Sequence, residues 1–213
     1  MIIVNFKCYT ESIGENARSI AKICESVALA TKKKIIIAPS FTDLHIAQDV
    51  SIPVFSQHLD PFDNGAHTGH ITVSSLSSAG IKGAIINHSE HPVSLDHIKK
   101  AVDLAHKHNI TAVVCASSLD MVKDIVKICT PQYIAYEPTE LIGGNISVTT
   151  SKPEIIKQAA KIVRNSKLLC GAGIKTADDV KAARMLGAHG ILVSSGIVKA
   201  KEPEKKLKEF ALA

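Results

Sequence analysis

Aromatic side chains are scarce in this chain: Phe, Tyr and Trp together make 4% of its 213 residues, and Trp is absent. A core must then be built from Ile, Val, Leu and Ala. The Ile- and Val-rich runs suit parallel strands covered on both faces. The scarcity also counts against nucleic-acid binding, because the one notable basic cluster, Lys32-Lys33-Lys34, has no aromatic residues interleaved with it. Long apolar runs are missing too. No stretch approaches the ~20 residues of a membrane span. The N-terminal Met1 to Asn5 is too short an apolar run for a signal peptide. A cytoplasmic protein without membrane partners is expected.

Paired-cysteine signals are missing. The five Cys (Cys8, Cys24, Cys115, Cys129 and Cys170) are odd in number and form no Cys-x-x-Cys. Free thiols in a reducing compartment are expected. Metal signatures are weak as well. His67/His70, His88/His91 and His106/His108 are short-spaced pairs, but no Cys falls near them and no His-Glu-x-x-His occurs. No metal or cofactor is expected. The net charge of +5 is modest. It suits a small anionic substrate.

What is present is an alternation. Short β-rich runs at Ile2–Asn5, Lys34–Ala38, Val54–Gln57, Ala84–Asn87, Thr111–Cys115, Tyr133–Tyr136, Leu168–Cys170 and Gly190–Val193 alternate with helical patterns. The latter cover Gly14–Leu29, Leu95–Lys107, Ser118–Ile128, Pro153–Val163, Ala177–Leu186 and Glu202–Leu212, with apolar residues near the 3.6 period. Ser151-Lys-Pro-Glu154 reads as a capping box, Thr176 as a helix start and Gly187 as a stop. Eight strands in β-then-α order point to an α/β fold with a parallel sheet. At about 27 residues per unit, a closed parallel (β/α)8 barrel with shortened helices is expected, one domain over 1–213. An open doubly wound sheet usually carries Gly-x-Gly-x-x-Gly after its first strand. Here that turn is Asn-Phe-Lys-Cys-Tyr.

In such a barrel chemistry gathers at the C-terminal strand ends. Strand 6 ends in Glu137-Pro138, followed by Gly143-Gly144. A carboxylate at the end of a buried strand, followed by a loop able to close, is what proton abstraction needs. A solvated Glu at a strand-to-turn junction is the plain alternative. Ile3, Asn5 and Lys7 share one face of strand 1. With Ile3 inside the barrel, Asn5 and Lys7 stand at its mouth. Strand 4 ends in Asn87-His88-Ser89-Glu90, at a turn or helix start; a helix start would favour a neutral His88, and Glu90 could pair with Lys7. Strands 7 and 8 end in Cys170-Gly171-Ala172-Gly173 and Ser194-Ser195-Gly196, small residues that let backbone N–H groups approach a phosphate.

In order and spacing these motifs, with Gln57, Gly65-Ala66-His67-Thr68-Gly69 and Ile142-Gly143, resemble the triosephosphate isomerase family in its short archaeal form, nearly end to end. The resemblance implies a TIM barrel that interconverts dihydroxyacetone phosphate and glyceraldehyde 3-phosphate in glycolysis and gluconeogenesis, without cofactor or metal. It implies Glu137 as base, His88 as electrophile and Lys7 as electrostatic partner, with Glu90 behind them. Asn5, Lys7, Ile142, Gly143, Gly173, Ser194 and Ser195 would hold substrate. The arm Gly65–His70 would meet a neighbouring subunit in a homodimer or homotetramer. The lid tip Gly143-Gly144-Asn145 and the pair Ser194-Ser195 depart from commoner family patterns. Another phosphate-binding barrel and a non-catalytic scaffold are the rival readings.

Overall fold

A computed structural model describes residues 1–138 and 153–213. Eight parallel strands form one sheet: β1 (Ile2–Asn5), β2 (Ile35–Ala38), β3 (Phe55–Ser56), β4 (Gly83–Ile86), β5 (Thr111–Ala116), β6 (Tyr133–Tyr136), β7 (Lys167–Cys170) and β8 (Gly190–Val193). The strand order is β2-β1-β8-β7-β6-β5-β4-β3. A single parallel bridge, Ile37 to Val54, joins the two outer strands and closes the barrel. Each expected strand is present, with ends shifted by at most one residue.

Alternation along the strands builds two cores. Ile3, Ile36, Phe55, Ile85, Val113, Cys115, Tyr133, Ala135, Leu169 and Leu192 fill the barrel interior. Their neighbours, such as Ile2, Val4, Ile35, Ile37, Ile86, Val114, Ile134 and Ile191, pack outward against the helices. Both faces of each strand are therefore apolar, as a parallel sheet requires. Phe55 fits inside because Gly83 is its paired neighbour; a Cβ there would lie 2.6 Å from the ring.

The helices are α1 (Glu15–Thr31), α2 (Val73–Ser78), α3 (Leu95–Lys107), α4 (Leu119–Ile128), α5 (Pro153–Ile162), α6 (Ala177–Met185), α7 (Ser195–Val198) and α8 (Pro203–Leu212). Caps set their starts. The side chains of Thr72, Ser94 and Ser118 each accept a backbone N–H of the first turn. Thr176 and Asp179 form a reciprocal capping box. Such caps contribute about 1 kcal/mol each. The box expected at Ser151 lies outside the described residues. Among the elements that escape the sequence reading are the 3₁₀ helix Phe41–Gln48 and α2. The first has no 3.6 periodicity to detect. The second is Ser-rich, and Ser favours caps over helix interiors. No helix among the described residues is long and apolar enough to cross a membrane.

Candidate active site

The inward alternation continues one step past the apolar layer. Two residues beyond Ile3, Phe55, Ile85, Ala135, Leu169 and Leu192 stand Asn5, Gln57, Asn87, Glu137, Gly171 and Ser194. These positions ring the C-terminal mouth. One cavity there is lined by Asn5, Lys7, His88, Glu137, Gly173, Ser194 and Ser195, all expected from the sequence. It also takes in Tyr9, Gly171, Ile174, Lys175, Leu192, Val193 and Gly196. Ile142 and Gly143 lie outside the described residues.

Glu137 is buried at 4% exposure. Its backbone N–H donates to the Ala116 carbonyl at 2.9 Å, which extends the β5–β6 ladder to the carboxylate. Burial holds its carboxyl above the usual range, against the Lys7 ammonium and a bond from the Cys115 thiol, which favour ionisation. Among the described residues Oε2 has no hydrogen-bond partner. Cys115 sits beneath it inside the barrel, its thiol pushed well up by burial and by the carboxylate. Behind Glu137 lies Gly171. A Cβ at that position would come within 2.4 Å of Glu137 Cγ and 2.7 Å of Oε1. Gly171 is thus a positioning residue that the sequence marks only as a turn glycine.

His88 would point outward if strand alternation ran on. Asn87 prevents this by adopting φ +61°. Its own amide pins the turn, donating to the Cys115 carbonyl at 2.9 Å and accepting from the Val93 N–H at 3.0 Å. His88 Nε2 then faces Glu137 Oε2 across 3.8 Å. The Glu90 N–H donates to His88 Nδ1 at 3.2 Å. A nitrogen that accepts carries no proton, so the ring is neutral with its hydrogen on Nε2, toward the cavity. Of the turn or helix start that the sequence allows here, the turn is present. Residues 88–91 form a turn closed by the His91 N–H on the His88 carbonyl, and α3 begins only at Leu95. The Glu90 amide, not a helix dipole, fixes the tautomer.

Lys7 also has positive φ, +52°. A non-glycine residue there costs roughly 1–3 kcal/mol and persists only when its surroundings hold it. Two side chains do so. Asn5 Oδ1 accepts the Lys7 N–H at 3.0 Å, and Gln57 Nε2 donates to the Lys7 carbonyl at 3.1 Å. Lys7 Nζ meets Glu90 Oε1 at 2.6 Å, the pairing anticipated from the sequence. On the opposite wall Gly173 turns with φ +68°, and the Ser194 Oγ is buried without a partner among the described residues.

The cavity therefore holds a buried carboxylate, a neutral imidazole donor and a fixed ammonium. Its far wall has small residues and backbone N–H groups. That set can take a proton from carbon, polarise the adjoining carbonyl and balance the charge that develops.

Residues 1–210 match the triosephosphate isomerase family profile. Curated proteins named triosephosphate isomerase are similar over nearly their whole length. That of Methanothermus fervidus is 40% identical, covering 99% of this chain and 96% of its own. That of Methanocaldococcus jannaschii is 41% identical, covering 99% and 98%. That of Methanobacterium bryantii is 42% identical, covering 97% and 93%.

Proposed function

The chain belongs to the triosephosphate isomerase family, and we propose that its cavity interconverts dihydroxyacetone phosphate and D-glyceraldehyde 3-phosphate through an enediolate, with Glu137 moving the proton. The observation that carries this is the facing pair at the mouth: the unpartnered Glu137 Oε2 lies 3.8 Å from a His88 Nε2 that bears a proton. A carboxylate base beside a neutral imidazole is the known arrangement of this family, so the pairing itself is inherited from it.

In the forward direction, the Glu137 carboxylate takes a proton from C1 of the ketose. The C–H electron pair becomes the C1–C2 double bond, and the C2 carbonyl oxygen gains the charge. His88 Nε2–H donates to that oxygen, and the Lys7 ammonium offsets the charge from the other side. The proton of the C1 hydroxyl passes to the C2 oxygen, the protonated Glu137 returns its proton to C2, and the C1 oxygen becomes the aldehyde. No electron leaves the substrate, so no redox partner is needed. Gly173, Ser194 and Ser195 receive the phosphate, where the lone Ser194 Oγ and nearby backbone N–H groups supply donors. The raised carboxyl of Glu137 suits a base that must both accept and give back a proton.

The same membership supports reading the Gly65–His70 arm as a subunit contact in a homodimer or homotetramer. Sedimentation that finds a fully active monomer would overturn this.

The test is a coupled assay of glyceraldehyde 3-phosphate isomerisation in the presence of a chelator, with Glu137→Gln alongside. Activity in the parent that is lost in the variant is the expected result. Near-normal turnover in Glu137→Gln would remove Glu137 as base. An inactive parent would shift the assignment to another sugar phosphate.

A further inference from the structure

Ten residues are His, and the isomerisation uses one of them. Four others gather around Asp60 at the foot of the 57–72 loop. His58 Nε2 and His70 Nδ1 each lie 3.3 Å from Asp60 Oδ1. His91 stacks on His58 with ring centres 4.1 Å apart, and the His97 ring lies 5.4 Å from that of His58. One ligand atom each from His58, Asp60 and His97 all fall within 4.8 Å of one another. Among the described residues no other set of His, Cys, Asp or Glu does this. The set includes none of the short-spaced His pairs visible in the sequence.

We propose that His58, Asp60 and His97 form a binding site for a divalent transition ion of the zinc class, with His70 or water as the fourth ligand. The site is separate from the isomerase chemistry. Zinc–nitrogen and zinc–oxygen bonds of about 2.0–2.2 Å in a tetrahedron place ligand atoms roughly 3.3–3.5 Å apart. The His58–Asp60 edge already has that separation. Two imidazoles and one carboxylate are a borderline donor set, suited to zinc, cobalt or nickel. Magnesium and calcium call for more oxygen ligands than one carboxylate supplies.

The supporting contacts fit a metal site. The His97 Nε2–H donates to the Leu59 carbonyl at 2.9 Å. A ligating imidazole commonly anchors its other nitrogen on a backbone carbonyl in this way. The Ile71 N–H donates to Asp60 Oδ2 at 2.8 Å, leaving Oδ1 directed at the imidazoles. His58 is buried, which holds its ring in place beside Asp60. An ion here would brace the start of the loop next to Gln57, the residue that holds Lys7.

The test is titration of chelator-treated full-length protein with Co²⁺, followed by its visible absorption, and with Zn²⁺ in competition. One equivalent of tetrahedral Co²⁺ per chain is expected, with a raised melting temperature. His97→Gln and Asp60→Asn should each weaken binding at least tenfold, while His106→Ala on an exposed helix end should not. His58→Ala removes a buried side chain, so the partly exposed His97 is the deciding position. Absence of saturable binding, or equal weakening by His106→Ala, would overturn the proposal.

Discussion

The two ends of the barrel use the same unusual backbone for different purposes. Among the described residues four non-glycine residues have positive φ: Lys7, Lys32, Asn87 and Asn109. Lys32 and Asn109 lie at the strand N-terminal end, where α1 and α3 stop, and a left-handed residue is an ordinary way to end a helix. Lys7 and Asn87 lie at the mouth, end strands rather than helices, and are held by Asn5, Gln57 and side-chain bonds of Asn87 itself. Carboxylates repeat the contrast. Glu25, on the other side of the sheet, accepts from the Ser51 N–H and hydroxyl and from Lys22, and these donors hold it at about 2. Glu137 at the mouth is buried with an oxygen left over and is held up. The Glu25 carboxylate is spent on its donors, whereas Glu137 keeps an oxygen in reserve, which is how a fold gives up stability for function.

The sharpest test of the contrast is Glu137→Gln. The rate should fall by roughly 10²–10⁴, the usual contribution of a positioned general base. The stability change should have the opposite sign. A carboxyl raised in the folded state binds more protons there than when unfolded, so stability falls as pH rises from about 4.5 through the folded value. Glu137→Gln should therefore melt higher than the parent at neutral pH, and the gain should vanish in acid. A variant that melts lower at neutral pH would break the comparison.

Next comes Gly171→Ala. Its Cβ must displace the Glu137 carboxylate, and a shift of about 1 Å costs on the order of 10² in rate. Phosphate-analogue binding, measured by calorimetry, should change far less. Gln57→Ala should follow, releasing the Lys7 backbone with a loss of about 1 kcal/mol for the missing bonds and a matching fall in activity. The pH profile is subtler: the acid limb of kcat/KM should have its midpoint above 4.5, the ordinary Glu value, and move there with Glu137. At the far end Lys32→Gly should stabilise by a few tenths to about 1 kcal/mol, because glycine takes positive φ without strain, and leave kcat unchanged.

Much of this mouth was legible because strand alternation is strict. Once Ile3 and Ala135 face inward, Asn5, Lys7 and Glu137 follow by counting in twos. His88 was legible as a residue but not as a geometry, since its place depends on the left-handed turn at Asn87 and its tautomer on the Glu90 amide. Gly171 behind Glu137, Gln57 on Lys7 and His97 beside Asp60 are pairs 34 to 50 residues apart. No local period encodes such pairs. The Ser-rich α2 and the 3₁₀ helix were hidden because their residues carry little helical signal.

Gln57 has one more consequence. Its Nε2 also donates to the Ala38 carbonyl at 2.9 Å, spanning β3 and β2 next to the single Ile37–Val54 bridge. The amide that fastens Lys7 thus also buttons the seam of the barrel. Split proteins make the point: a half ending before residue 57 carries Lys7 and Asn5 but no clasp for them, and complementation should restore activity only as the seam zips.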